Sequence, residues 1–127
     1  MPGDEVNQES EVQGELDEKS RDHINKLKDT GHLIAADVEL QSDCDKINQH
    51  MKAPFDTFDA VSYKVKRVPV IKEFYIVKVF TGNRKRPQAN DYRFAYIVKE
   101  DGEPFDATIP KTWQFNKKAK LEKDILE

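Results

Sequence analysis

The sequence predicts an α+β fold in which an N-terminal helical segment packs beside a small antiparallel sheet of three or four strands. Three observations predict it. All twelve aromatic residues fall between Phe55 and Phe115, so the first fifty-four positions hold none. At Pro54 the apolar spacing changes from a helical period near 3.6 to a strand period of 2. Charge divides close to the same place: residues 1–60 carry 15 acidic and 6 basic side chains, net −9, and residues 61–127 carry 9 and 15, net +6.

A chain of 127 residues suits one domain with one core. Apolar residues make up 37% and charged residues 35%, leaner than an ordinary soluble domain, so part of the chain is expected to have no core. Residues 1–15 fit that description as a flexible acidic tail, with too little apolar surface to offset the ordering of their backbone. Residues 16–53 read as a helical segment, and 55–127 as an aromatic-rich, basic β domain.

In the helical segment, Leu16, His23, Ile24 and Leu27 share one side before Thr30-Gly31 ends or kinks the first helix. Leu33, Ala36, Leu40, Cys44, Ile47 and Met51 then recur at steps of three and four, the stripe of an amphipathic helix. Asp29 or Thr30 is its expected N-cap, and Pro54 closes it. The opposite face, from Asp37 to Asn48, reads as solvated and acidic.

Four strands are expected beyond the connector. Val61, Tyr63 and Val65 alternate with Ser62, Lys64 and Lys66, giving a half-buried strand with a basic outer face, interrupted at Pro69. Glu73–Phe80 is apolar on both faces apart from Lys78, as a central strand requires. Tyr92–Lys99 is its partner, with Tyr92, Phe94, Tyr96 and Val98 on one face. After a turn at Asp101-Gly102, the alternation of Phe105, Ala107 and Ile109 predicts a fourth strand. A charged C-terminal helix over NKKAKLEKDILE completes the chain, and the strand count and order compare with an SH3-like half-barrel.

Function classes narrow by elimination. Neither GxxxxGK[ST] nor GxGxxG occurs, and His23, His32, His50 and Cys44 form no metal-ligand pair, so no cofactor, metal or catalytic residue is expected and the protein reads as a non-enzyme. One cysteine, no signal segment and no membrane-length apolar run place it in the cytosol or nucleus. The loop Thr81–Asp91, TGNRKRPQAND, is longer than a hairpin needs. Arg84, Lys85 and Arg86 in that loop, with Lys64, Lys66, Lys78, Arg93, Tyr75 and Tyr92 on the adjoining strands, are the expected binding residues.

The expectation is therefore an interaction module that binds an acidic protein surface or peptide through its sheet and basic hairpin loop, or by strand addition at a sheet edge. Two alternatives stand beside it. The basic loop 84–86 suits nucleic acid or chromatin, and the stripe through Leu33, Leu40, Ile47 and Met51 suits a structural homodimer.

Overall fold

The structure is a computed structural model that describes residues 12–68, 72–88, 91–100 and 102–116. Its elements are β1 (Val12–Gly14), α1 (Glu18–Leu27), β2 (Ile34–Ala35), α2 (Val38–His50), β3 (Asp59–Val68), β4 (Lys72–Phe80), β5 (Tyr92–Glu100) and β6 (Trp113–Asn116), with a 3₁₀ turn at Pro110–Thr112. The α+β class and the antiparallel sheet agree with the sequence reading. All the described strands join one open sheet in the order β1-β6-β5-β4-β3-β2, every neighbouring pair antiparallel.

Side chains alternate across the sheet, so each strand supplies both of its faces. Tyr75, Val77 and Val79 of β4, Ala95 and Ile97 of β5, and Trp113 and Phe115 of β6 pack with Leu40, Cys44 and Ile47 of α2 and with Met51 just after it. On the other face Phe74, Ile76, Phe94 and Val98 pack with Leu16 and with Ile24 and Leu27 of α1. A helix therefore covers each face. That explains why β4 is apolar on both sides, and it replaces the half-barrel comparison with three layers around an open sheet.

Both helices begin at an aspartate. Asp17 accepts the Ser20 N–H at 2.8 Å and Asp37 accepts the Leu40 N–H at 2.8 Å, each satisfying a donor that the first turn leaves unpaired. The second helix thus starts at Val38, not at the cap expected at Asp29 or Thr30. Leu33 and Ala36 keep its period but precede it, because Ile34 and Ala35 pair with Tyr63 and Ser62 of β3. Gln41 ties the helix to the start of β3, donating to the Phe58 carbonyl at 2.9 Å and accepting the Ala60 N–H at 2.7 Å.

The expected dimer stripe is consumed inside the molecule. Leu40, Ile47 and Met51 are 3%, 0% and 4% exposed, and only Leu33, outside the helix, is exposed. The homodimer expectation loses its apolar seam.

Two other expectations change. Phe105–Ile109 is not a strand: Asp106 accepts the Thr108 N–H at 2.9 Å, the Ile109 N–H bonds back to the Asp106 carbonyl at 3.2 Å, and the chain turns. Phe105 and Ala107 are buried while Ile109 is exposed, so their strand-like spacing comes from a packed turn. The Trp113 indole N–H donates to the Ala107 carbonyl at 2.8 Å and locks that turn, and the last strand follows at Trp113.

The tail expectation also stops short of residue 15. Val12–Gly14 pairs with Gln114–Asn116, and Leu16 is buried. Residues 1–11, residues 117–127 of the expected C-terminal helix, and Pro69 lie outside the described residues, while Asn116, the first residue of that expected helix, ends β6.

Gly14 is the residue that lets β1 lie here. Its φ is +76°, and a Cβ would collide with the Trp113 carbonyl. Gly14→Ala is expected to cost about 1–3 kcal/mol, from left-handed strain together with that clash. The check is thermal unfolding; an unchanged Tm would mean that β1 contributes nothing to the folded state.

Candidate functional site

The β4–β5 loop is held in shape by its own polar groups. At its neck the Thr81 N–H and hydroxyl both donate to the Asp91 carbonyl, each at 2.9 Å, and Arg93 Nη1 donates to Thr81 Oγ1 at 2.8 Å. Above the neck one turn closes where the Arg86 N–H meets the Asn83 carbonyl at 3.0 Å and the Lys85 N–H meets Asn83 Oδ1 at 2.9 Å. Gln88 and Asp91 are joined directly, the Asp91 N–H meeting the Gln88 carbonyl at 3.1 Å and the Gln88 N–H meeting Asp91 Oδ2 at 3.0 Å. The asparagine and aspartate supply the side-chain acceptors that such turns favour. Gly82 lies so close to the Asp91 carboxyl that a Cβ would collide with it.

The three loop cations then separate into two roles. Arg84 forms a two-pronged pair with Asp59 at the start of β3, through Nε at 2.8 Å and Nη2 at 2.7 Å. That pairing holds the Asp59 carboxyl below the usual carboxylate range. Arg84 is therefore an anchor that fastens the loop to the sheet. Lys85 and Arg86 are exposed, and their side chains make no ion pair among the described residues.

Beside the loop lies a cleft of about 800 Å³. Pro54, Phe55 and Thr57 form one wall, and Thr81, Gly82 and Lys85 the other. Its first wall is fixed to α2 by Asn48, which accepts the Phe55 N–H at 2.8 Å and donates to the Phe55 carbonyl at 2.9 Å. The Arg93 guanidinium sits 5.7 Å from the Phe55 ring centroid. The volume falls within the range of ligand-binding clefts.

The remaining sequence-predicted residues are not gathered there. Tyr75 is buried, its hydroxyl donates to Glu73 Oε1 at 3.2 Å, and its ring packs on Tyr63, so it offers no stacking face. Tyr92 is partly buried against Phe80 with Lys78 Nζ 4.6 Å from its ring centroid, which occupies both Tyr92 and Lys78. Lys64 and Lys66 do not form a bare basic face. Lys64 Nζ donates to the Lys28 carbonyl at the C-terminus of α1, and Lys66 Nζ lies 3.1 Å from His23 Nδ1. Alternation identified their side of the strand without showing that a helix covers it.

A second polar centre escaped the sequence reading. Asp43, expected on the solvated face of α2, is 3% exposed and paired with Lys99 Nζ at 3.0 Å. Burial raises the Asp43 pKa, opposed by the hydrogen bond and charge of Lys99. The pair borders a cavity of about 100 Å³ with Asp37, Glu39, Tyr63 and Arg67, and Glu73 holds Arg67 at 2.7 Å. Its only sequence signal is an aspartate beside Cys44 on the inward stripe.

Cys44 itself is fully buried with its thiol pKa pushed up by burial, so it presents no thiolate. His23 stacks on Phe74 with ring centroids 4.4 Å apart, and burial lowers its pKa. No group of His, Cys, Asp and Glu among the described residues has the arrangement of a metal site, and no helix there is long and apolar enough to cross a membrane. Compared with known proteins, the chain matches no family model, no curated protein and no solved structure.

Proposed function

We propose that this protein is a non-enzymatic interaction module of the cytosol or nucleus that takes an acidic segment of a partner protein into the cleft beside the β4–β5 loop. The observation that carries this reading is the loop itself. The Asn83 turn and an arginine anchor leave Lys85 and Arg86 exposed, with Lys85 lining a partly apolar cleft. A loop fixed before binding loses little conformational entropy when a partner arrives, which favours affinity. The acidic occupant follows from charge: Lys85 and Arg86 form no ion pair among the described residues, and Phe55 and Pro54 add apolar lining to the cleft that Lys85 borders.

Nucleic acid fits this end of the sheet less well. Asp59 engages Arg84, which leaves Lys85 and Arg86 as the outward cations of the loop, too short a row to follow an extended phosphate backbone. Neither tyrosine expected to stack on bases is free to do so.

The test is binding of a glutamate-rich synthetic peptide with a central leucine to the full chain and to its Lys85→Ala/Arg86→Ala variant. The variant is expected to bind about tenfold more weakly or worse, at unchanged Tm, since a charge-assisted hydrogen bond contributes roughly that much. Equal affinity for both proteins would remove the loop from the interface.

A further inference from the structure

One flank of β3 is used over only part of its length. β2 pairs with it at Ser62 and Tyr63, and the Ala36 N–H donates to the Val61 carbonyl at 3.1 Å. In an antiparallel ladder the residues turning their backbone groups to one flank recur every second position. Val61 faces β2, as does Tyr63 opposite Ile34, so Val65 and Arg67 turn their N–H and C=O groups to that same flank. There β2 has ended, and no strand among the described residues follows it. Such an edge is a template for an incoming strand.

The side chains on either side decide which strand it fits. Residues of an added strand opposite Lys64 and Lys66 point to the α1 face, where those ammonium groups lie. Lys64 uses one of its three donors on a carbonyl and Lys66 is bonded to the His23 imidazole, and neither forms an ion pair with a carboxylate among the described residues. The residue between them, opposite Val65, points to the other face. There Tyr63 and Arg67 border the small cavity that also holds Asp37, Glu39 and Asp43. Those three carboxylates face Lys99 and an Arg67 already engaged by Glu73, so the cavity mouth favours a cation.

We infer that the Lys64–Val68 edge of β3 receives an extended segment of another protein bearing an acid–base–acid triplet, with lysine or arginine opposite Val65 and carboxylates opposite Lys64 and Lys66. A second copy of this edge is disfavoured: antiparallel self-pairing about Val65 sets Lys64 against Lys66 in both directions, and like charges directly opposed are destabilising. The triplet reads the same in both chain directions, so its charge pattern suits a parallel or an antiparallel addition. This inference stands apart from the loop reading.

Amide hydrogen exchange of the full chain tests it, using synthetic peptides in which Glu-Lys-Glu or Lys-Glu-Lys is flanked by threonines and valines. At ten times the dissociation constant, Glu-Lys-Glu is expected to slow exchange at Val65 and Arg67 about tenfold. Lys-Glu-Lys is expected to leave both amides unchanged, and Lys85→Ala/Arg86→Ala is expected to leave the protection by Glu-Lys-Glu intact. Lys64→Glu/Lys66→Glu should abolish that protection, while the comparison of the two peptides probes the same charge pattern without any change to the protein. Equal protection by both peptides, no protection at saturation, or protection that grows with protein concentration alone would overturn the inference, the last by showing a second copy on the edge.

Discussion

Leu40→Asp is expected to leave the protein unfolded under native conditions, without first passing through a folded monomer released from a dimer. Leu40 is 3% exposed on the inward face of α2, one turn from Asp43, which already carries a buried negative charge. The substitution removes apolar packing that typically contributes about 2–5 kcal/mol. It also buries a second carboxylate with no cation of its own, since Lys99 is engaged by Asp43. Together these approach or exceed the roughly 5–15 kcal/mol that stabilises an ordinary domain. Circular dichroism with size-exclusion chromatography checks it. A folded variant of half the wild-type mass would restore the dimer seam.

Lys99→Ala carries the next largest expected effect. The side chains of Lys99 and Asp43 are 10% and 5% exposed, so removing the ammonium leaves a buried carboxylate without its counter-charge. Breaking a buried pair from one side typically costs about 3–5 kcal/mol. The loss has a pH dependence whose sign follows from Asp43. Its folded pKa lies above the unfolded value, so protonation favours the folded state, and Lys99 is one of the influences that lower it. Without Lys99 the pKa climbs further. The deficit of the variant is therefore full at neutral pH and shrinks as pH falls through the raised folded pKa.

Asp17 and Asp59 behave oppositely, their folded values being depressed by the Ser20 N–H and by Arg84 respectively. Their contributions are present above the unfolded pKa and fade as pH falls through the depressed folded values. Comparing the Tm difference between variant and wild type at neutral and mildly acidic pH cancels those shared terms. A deficit equal at both would show that Asp43 is not the group left unpaired.

What the sequence revealed depended on how local the cause was. The inward stripe of α2 was legible because it requires only the helical period. Its start was misplaced because Leu33 and Ala36 continue that period by chance, while the Asp37 cap and the pairing of Ile34 with Tyr63 decide the boundary. β4 showed as a central strand because both its faces are apolar. Nothing in its neighbourhood disclosed that each face meets a different helix.

The misplaced last strand has a comparable origin. Phe105 and Ala107 are buried in a turn with the spacing of a strand, and the Asp106 bonds that make the turn are chosen only once Trp113 packs beneath it. Asp43 was hidden for a longer-range reason, since its partner Lys99 lies 56 residues away on β5. In the loop, residue types pointed to a basic surface, and all three cations read alike. Only the fold, by bringing Asp59 under Arg84, separates the anchor from the two outward cations.

On the proposed function, this end of the sheet binds acidic protein segments. The most direct measurement is a salt-series titration of the full chain and its Lys85→Ala/Arg86→Ala variant, against the glutamate-rich peptide and against short single- and double-stranded DNA. The peptide is expected to bind more tightly than either DNA, with an affinity that falls with added salt, less steeply for the variant because two cations are gone. Tighter binding to DNA, with a steep salt slope that flattens in the variant, would contradict it and make the loop a phosphate-binding surface.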